Sequence, residues 1–201
     1  MHRLLQTLGI GIVTFGLAVG CHNNKDNTTS GDKDSMKMAN EGSANKKVAV
    51  AEIKPSQAAA TQPSWGKPTG TVTFTQVGDK VKIHADLTGL PPGKHGIHIH
   101  ESGDISAPDL MSTKGHYNPD HHAHGGPTTS PVHAGDFGNI TADVSGKATL
   151  DLTVDDISVG GEKNDILGKA VIIHAKADDL KSQPAGNAGA RIAGGVIEIQ
   201  K

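Results

Sequence analysis

The chain of 201 residues holds twelve histidines, most of them between His95 and His133. Neutral imidazole is a common metal ligand, so their placement is the first chemical signal. In Gly96-Ile97-His98-Ile99-His100 two histidines stand two residues apart. On a β-strand both point to one face, and Ile97 and Ile99 point to the other, toward a core. His95 falls on the isoleucine face and is not counted as a ligand. His116, His124, His133 and Asp136 follow at spacings too wide for one helix face, so only a folded loop could bring them together. His174 ends a separate apolar run. These seven residues could bind two metal ions. An all-nitrogen set suits copper, and histidines with an aspartate in a tetrahedral set suit zinc. His121 and His122 fit no spacing and are expected in solvent, as is His84, which alternates with polar positions.

The elements that must position these ligands read as strands. Apolar residues alternate at Val48 and Val50, Val72 and Phe74, Val81 through Leu87, and Ala148 through Val154. Period two with turn residues between marks half-buried strands. Gly78-Asp79 and Ser145-Gly146 sit where hairpin turns belong. Val171-Ile172-Ile173 and Val196-Ile197 are continuous runs that fit deeper burial. The pattern predicts strands at 47–54, 69–77, 80–88, 94–101, 138–144, 147–154, 167–174 and 195–200. No long helical period competes. The expectation is an all-β fold, an eight-stranded Greek-key β-sandwich or flattened barrel. Residues 102–137 and 175–192 lack alternation and are expected to form two long functional loops. With one Trp, one Tyr and three Phe, the core should be aliphatic.

A net charge of −2 argues against a nucleic-acid partner, which needs a concentrated basic surface. The single cysteine, Cys21, excludes an intramolecular disulfide. A short basic start followed by the apolar stretch Leu4 to Val19 has the anatomy of a secretory signal, too short for a comfortable membrane span. Small residues directly before Cys21 resemble the cleavage box of bacterial lipoproteins. The expected organisation is a signal peptide at 1–20, a lipidated Cys21 with a flexible polar tether over 21–46, and one domain over 47–201. This places the protein outside the cytoplasm, held to a cell membrane by lipid.

Over about 47–201 the sequence resembles copper–zinc superoxide dismutases, in motifs that begin at His95. The matching text is His95-Gly96-Ile97-His98-Ile99-His100-Glu101, Gly115-His116-Tyr117-Asn118-Pro119, His124-Gly125-Gly126-Pro127 and His133-Ala134-Gly135-Asp136-Phe137-Gly138-Asn139. It continues through His174-Ala175-Lys176-Ala177-Asp178-Asp179 and Gly186-Asn187-Ala188-Gly189-Ala190-Arg191. The resemblance implies copper on His98, His100, His116 and His174. It implies zinc on His116, His124, His133 and Asp136, with His116 shared. Asp178 would link a copper ligand to a zinc ligand, and Arg191 would attract superoxide beside the copper. His116 and Arg191 are thus the implied catalytic residues, and a homodimer is compatible with the family.

The chain departs from the family in one respect. The resemblance implies a disulfide closing the first loop onto the last strand, and in bacterial relatives its cysteines fall where this chain has Ile105 and Gly194. Closing a loop of about 90 residues is worth roughly 4–5 kcal/mol in the entropic model. The expectation is that Ile105 packs into the space left at Gly194. Two functions follow: a lipid-anchored enzyme that dismutates superoxide, or a dismutase-like lipoprotein that binds copper and zinc without turnover. Retention of all seven ligands and Arg191 favours the enzyme.

Overall fold

The computed structural model describes residues 46–201. The expected signal peptide, Cys21 and the tether before residue 46 lie outside the described residues.

Eight strands form: β1 Val48–Pro55, β2 Thr69–Val77, β3 Lys80–Thr88, β4 Gly93–His100, β5 Asp136–Ala142, β6 Ala148–Val154, β7 Ala170–His174 and β8 Arg191–Ile199. They close into a barrel in the order β1-β2-β3-β6-β5-β4-β7-β8, each neighbouring pair antiparallel. The steps from β3 to β4 and from β6 to β7 skip neighbours, which is the Greek-key crossover. The only helical pieces among the described residues are short 3-10 turns at Ala58–Thr61, Pro63–Trp65 and Met111–Thr113.

Alternation explains most strands. In β3, Val81, Ile83, Ala85 and Leu87 are buried and every intervening residue is exposed. Each large side chain so buried contributes about 1.5–3 kcal/mol. The hairpins turn at Gly78 and Gly146, whose φ of 60° and 80° are costly for residues with a Cβ. The core is aliphatic apart from a tilted Phe74–Phe137 pair with ring centroids 6.3 Å apart.

β7 is different, because all five of its residues are buried. Val171 and Ile173 join the barrel core. Ala170 and Ile172 face outward and form a second cluster with Leu110 of the first loop. A strand covered on both faces must be apolar throughout, which is why its sequence shows no alternation.

Three strands begin two or more residues away from expectation. β5 begins at Asp136 rather than 138, and β7 at Ala170 rather than 167. β8 begins at Arg191, four residues before the expected 195. Gly194 and Gly195 interrupt the apolar pattern, yet they pair with Ile172 and Val171. Arg191 is therefore a strand residue, across from His174 beside an irregularity in the register.

Candidate metal centre

The barrel wall positions the first ligands. His98 and His100 on β4 are fully buried, and Ile97 and Ile99 between them enter the core. β7 lies beside β4, pairing Ile97 with Ile173 and His100 with Ala170, and ends at His174. The outward faces of these strands thus carry three histidines, covered by the loops at 101–135 and 175–190. His116 joins them through a bridge between its backbone and that of His100.

One ligand atom from each of His98, His100, His116 and His174 lies within 4.8 Å of the others, and the same holds for His116, His124, His133 and Asp136. His116 belongs to both groups. Its ring stacks near His98, with centroids 4.0 Å apart, and stands edge-on to His133 at 5.6 Å. Asp136, the first residue of β5, faces His98 across the β4–β5 ladder.

The donor set can be tested for metal by asking which nitrogens lack a hydrogen bond. In the first group, His98 Nε2–H donates to Asp178 Oδ2 (2.8 Å), His100 Nδ1–H to Lys114 O (2.9 Å) and His174 Nδ1–H to Gly189 O (3.1 Å). Each ring therefore keeps its other nitrogen as an unprotonated lone pair. Those nitrogens, His98 Nδ1, His100 Nε2 and His174 Nε2, together with His116 Nε2, are buried without a hydrogen-bond partner. Buried orphans of this kind are costly unless something binds them. Four converging imidazole lone pairs fit a copper ion.

In the second group the contact geometry is equally telling. His124 Nδ1 and His133 Nδ1 approach Asp136 carboxylate oxygens to 2.9 and 3.2 Å without the alignment of a hydrogen bond. His116 Nδ1 lies 2.8 Å from Asp136 Oδ1. Three nitrogens and a carboxylate oxygen facing a common point fit tetrahedral zinc.

Charge differs between the groups. Burial, reinforced by the neighbouring His116, His174 and Arg191, holds His100 far below the ordinary imidazole range. Burial and His98 do the same to His174. Burial lowers His116 to about 4, although its contact with Asp136 opposes the shift. In the second group burial again disfavours charge on His124, but its contacts with Asp136 and Asp178 outweigh it and raise His124 to about 9. The same contacts with His116, His124 and His133 overcome the burial of Asp136 and hold it well below the carboxylate range.

Asp178 links the groups: Oδ2 accepts from His98 and Oδ1 from His124 Nε2 (3.0 Å). A Cβ at Gly186 would overlap Asp178 Oδ1 and come within 2.6 Å of His124 Nε2, so only glycine, here at φ 62°, lets the second loop pass. Arg191 Nη1 donates to Leu110 O (2.8 Å) and Thr113 Oγ1 (2.9 Å). The guanidinium lines a cavity of about 420 Å³ together with His100, His116 and His174. Burial lowers its pKa and Asp109 opposes the shift, but a guanidinium stays charged.

Other sequence expectations are placed as follows. His95 is buried, its ring nitrogens on His174 O (2.9 Å) and Pro91 O (2.8 Å). His121 and His122 are exposed, as is His84, which pairs with Asp151 at 2.8 Å. The packing expected of Ile105 is overturned. Ile105 is 40% exposed on a surface groove that Gly194 shares. A Cβ at Gly194 would instead meet Ile172 Cδ1 at 2.8 Å and Leu110 Cδ1 at 3.2 Å. The loop's path puts Leu110 inward, 5% exposed, with the backbone at φ 61°.

Three amide and hydroxyl residues escaped the sequence reading. Gln183 clamps the backbone of His124, its Oε1 accepting from His124 N–H (2.8 Å) and its Nε2 donating to His124 O (3.0 Å). Asn139 holds Asp178 in the same two-point way, at 2.8 and 2.9 Å. Thr113 touches both His100 Nδ1 (3.3 Å) and Arg191.

The sequence model of the family described as copper/zinc superoxide dismutase matches residues 68–197. The chain is 43% identical over 143 residues to a protein named superoxide dismutase [Cu-Zn] of Paramecium bursaria Chlorella virus 1, covering 68% of this chain and 75% of the viral one. It is 42% identical over 134 residues to an extracellular superoxide dismutase [Cu-Zn] of Caenorhabditis elegans, covering 64% of this chain and 60% of the nematode protein. Among solved structures, the clock protein EA4 is similar at 39% identity with a TM-score of 0.67, over 79% of this chain and 98% of that one.

Proposed function

This chain belongs to the copper/zinc superoxide dismutase family, and from that premise we propose that it is a lipid-anchored, extracytoplasmic enzyme converting two superoxide ions and two protons to dioxygen and hydrogen peroxide. The observation that carries the reading is the convergence of buried, unpartnered imidazole nitrogens beside Arg191. We assign copper to His98, His100, His116 and His174, and zinc to His116, His124, His133 and Asp136.

Bound copper supplies one-electron oxidation and reduction, and bound zinc a fixed positive charge. The chain's own residues do the rest. Arg191 draws the anion into the cavity and holds it near the first ligand group without exchanging protons. His116 Nε2 faces that group and is the atom at which a proton is taken up and returned to the reduced dioxygen. In the metal-free chain burial lowers His116 to about 4, so its neutral form prevails near pH 7. Asp178 and the carbonyls of Lys114 and Gly189 fix the tautomers of His98, His100 and His174, so each presents a lone pair.

A dismutation assay on the copper- and zinc-loaded full chain tests the activity, compared with His100→Ala and Arg191→Ala. Turnover no greater than that of free copper under chelation rejects the enzyme in favour of metal binding alone.

The location rests on sequence. The apolar stretch Leu4 to Val19, the small residues before Cys21 and the polar segment after it support export and lipid attachment at Cys21. Mass spectrometry of the membrane-fraction N-terminus should find a lipidated cysteine, and Cys21→Ser should release the protein. Homodimer formation belongs to the same proposal. Val50, Ile105, Val196 and Ile199 line an open groove across β1 and β8 that a second copy could cover. A monomer by sedimentation at micromolar concentration would exclude it.

A further inference from the structure

The family match begins at residue 68, so the connection between β1 and β2 precedes it. That connection is tied to β8 and to the first loop by backbone hydrogen bonds. Ser56 N–H donates to Ile192 O (2.8 Å) on β8, and Ala58 N–H to Pro108 O (2.9 Å) in the first loop. Its second 3-10 turn, closed by Trp65 N–H to Gln62 O (2.9 Å), carries the chain's one tryptophan to the mouth of the Arg191 cavity.

The cavity is larger than a diatomic anion requires. Its volume of about 420 Å³ falls in the range of small-molecule sites, roughly 300–1,000 Å³. Trp65, Met111, Pro184 and Ala185 give it apolar walls, and Arg191 gives it a permanent cation. Met111 is 59% exposed, a large apolar side chain at the rim with little covering it. Asp109 also lines the cavity and adds one negative charge, which disfavours a dianion.

We propose that this mouth binds a small organic monoanion with a flat apolar body, of the aromatic carboxylate class. Its carboxylate meets Arg191 and its body lies against Trp65 and Met111. Such a ligand shares the cation with superoxide and so competes with it. The inference rests on the reading of Arg191 as the anion-binding residue of the channel.

Calorimetry with benzoate and acetate on the copper- and zinc-loaded full chain tests it. Burying a ring against apolar walls adds to the binding of the carboxylate, so benzoate should bind at least about tenfold tighter than acetate. Trp65→Ala should bring benzoate down to the affinity of acetate and leave acetate unchanged, with Trp65→Phe retaining most of the difference. Arg191→Ala should abolish both. Equal affinities for the two anions, or benzoate binding that survives Arg191→Ala, overturns the proposal. Dismutation measured in parallel without either anion separates the two readings. Full turnover with no preference for benzoate sinks this inference alone, whereas tight benzoate binding without turnover supports it and strikes the proposed activity.

Discussion

Three of the four ligands in the first group sit on adjacent strands, whereas in the second only Asp136 does. His98, His100 and His174 are held by sheet register and by one hydrogen bond each to a neighbouring carbonyl or carboxylate. His124 and His133 belong to a loop with little apolar burial of its own. Their positions depend on Asp136, Asp178 and the Gln183 clamp. The expectation is that the first site is built before metal arrives and that the second is completed by it. A barrel wall can preorganise only residues that share its face.

Metal removal should open this contrast most widely. Ligands that bind only the folded state stabilise it by about 4 kcal/mol at a thousandfold excess over Kd. For a domain this size that is a melting shift on the order of 10 °C. Hydrogen exchange should show loop 101–135 losing protection on chelation while β4 and β7 keep theirs. Equal melting temperatures with and without chelator would contradict the idea that metal holds the loop.

Acidity should then separate the groups in the metal-free chain. His100, His116 and His174 have folded pKa values below the unfolded 6.5, so their stabilisation is complete above 6.5 and lost as pH falls, for His116 down to about 4. His124 is raised to about 9, so its contribution is complete below 6.5 and lost as pH rises toward 9. Metal-free stability should therefore peak near pH 6.5. A melting temperature that rises or falls monotonically between pH 5 and 9 would refute the assignment of opposite charge habits.

Leu110 offers a metal-independent tie between loop and wall. Leu110→Ala should cost about 2–4 kcal/mol in thermal unfolding, because a buried leucine is lost from the cluster with Ala170 and Ile172. Ile105→Ala should stay within about 0.5 kcal/mol, being exposed. The reverse ranking would restore Ile105 as the anchor.

Gln183→Ala should have a smaller effect than Leu110→Ala, and one confined to zinc. Two backbone hydrogen bonds of about 0.5–1.5 kcal/mol each are lost, so zinc affinity should fall roughly tenfold, with copper affinity unmoved. An equal fall for both metals would mean that the clamp serves the whole centre rather than the loop-built half.

Legibility in the sequence followed the same division. Strand β3 could be read directly, since one face of it is wet and period two is then unavoidable. The pair His98 and His100 was visible because a strand places alternate residues on one face. β8 was read too short because Gly194 and Gly195 carry no hydropathic signal, while backbone pairing needs no side chain. Leu110 and Ile105 are alike as residues, and only the loop's path decides which faces inward. Gln183, Asn139 and Thr113 act through hydrogen bonds to groups distant in sequence, and an amide or hydroxyl in a loop announces no partner. Trp65 belongs to none of the motifs that carry the family resemblance, and a lone tryptophan in a loop announces no ligand.

The contact between Leu110 and Gly194 has a consequence for where the protein can mature. The same residue that packs there offers its carbonyl to Arg191, so the guanidinium is placed by van der Waals contact and a backbone hydrogen bond. A cystine at that point would tie the arginine to the reduction potential of the compartment. A leucine has no such chemistry, and the chain's one thiol is at position 21. Assembly of the Arg191 channel therefore calls for no oxidant, and millimolar thiol reductant should leave its geometry untouched.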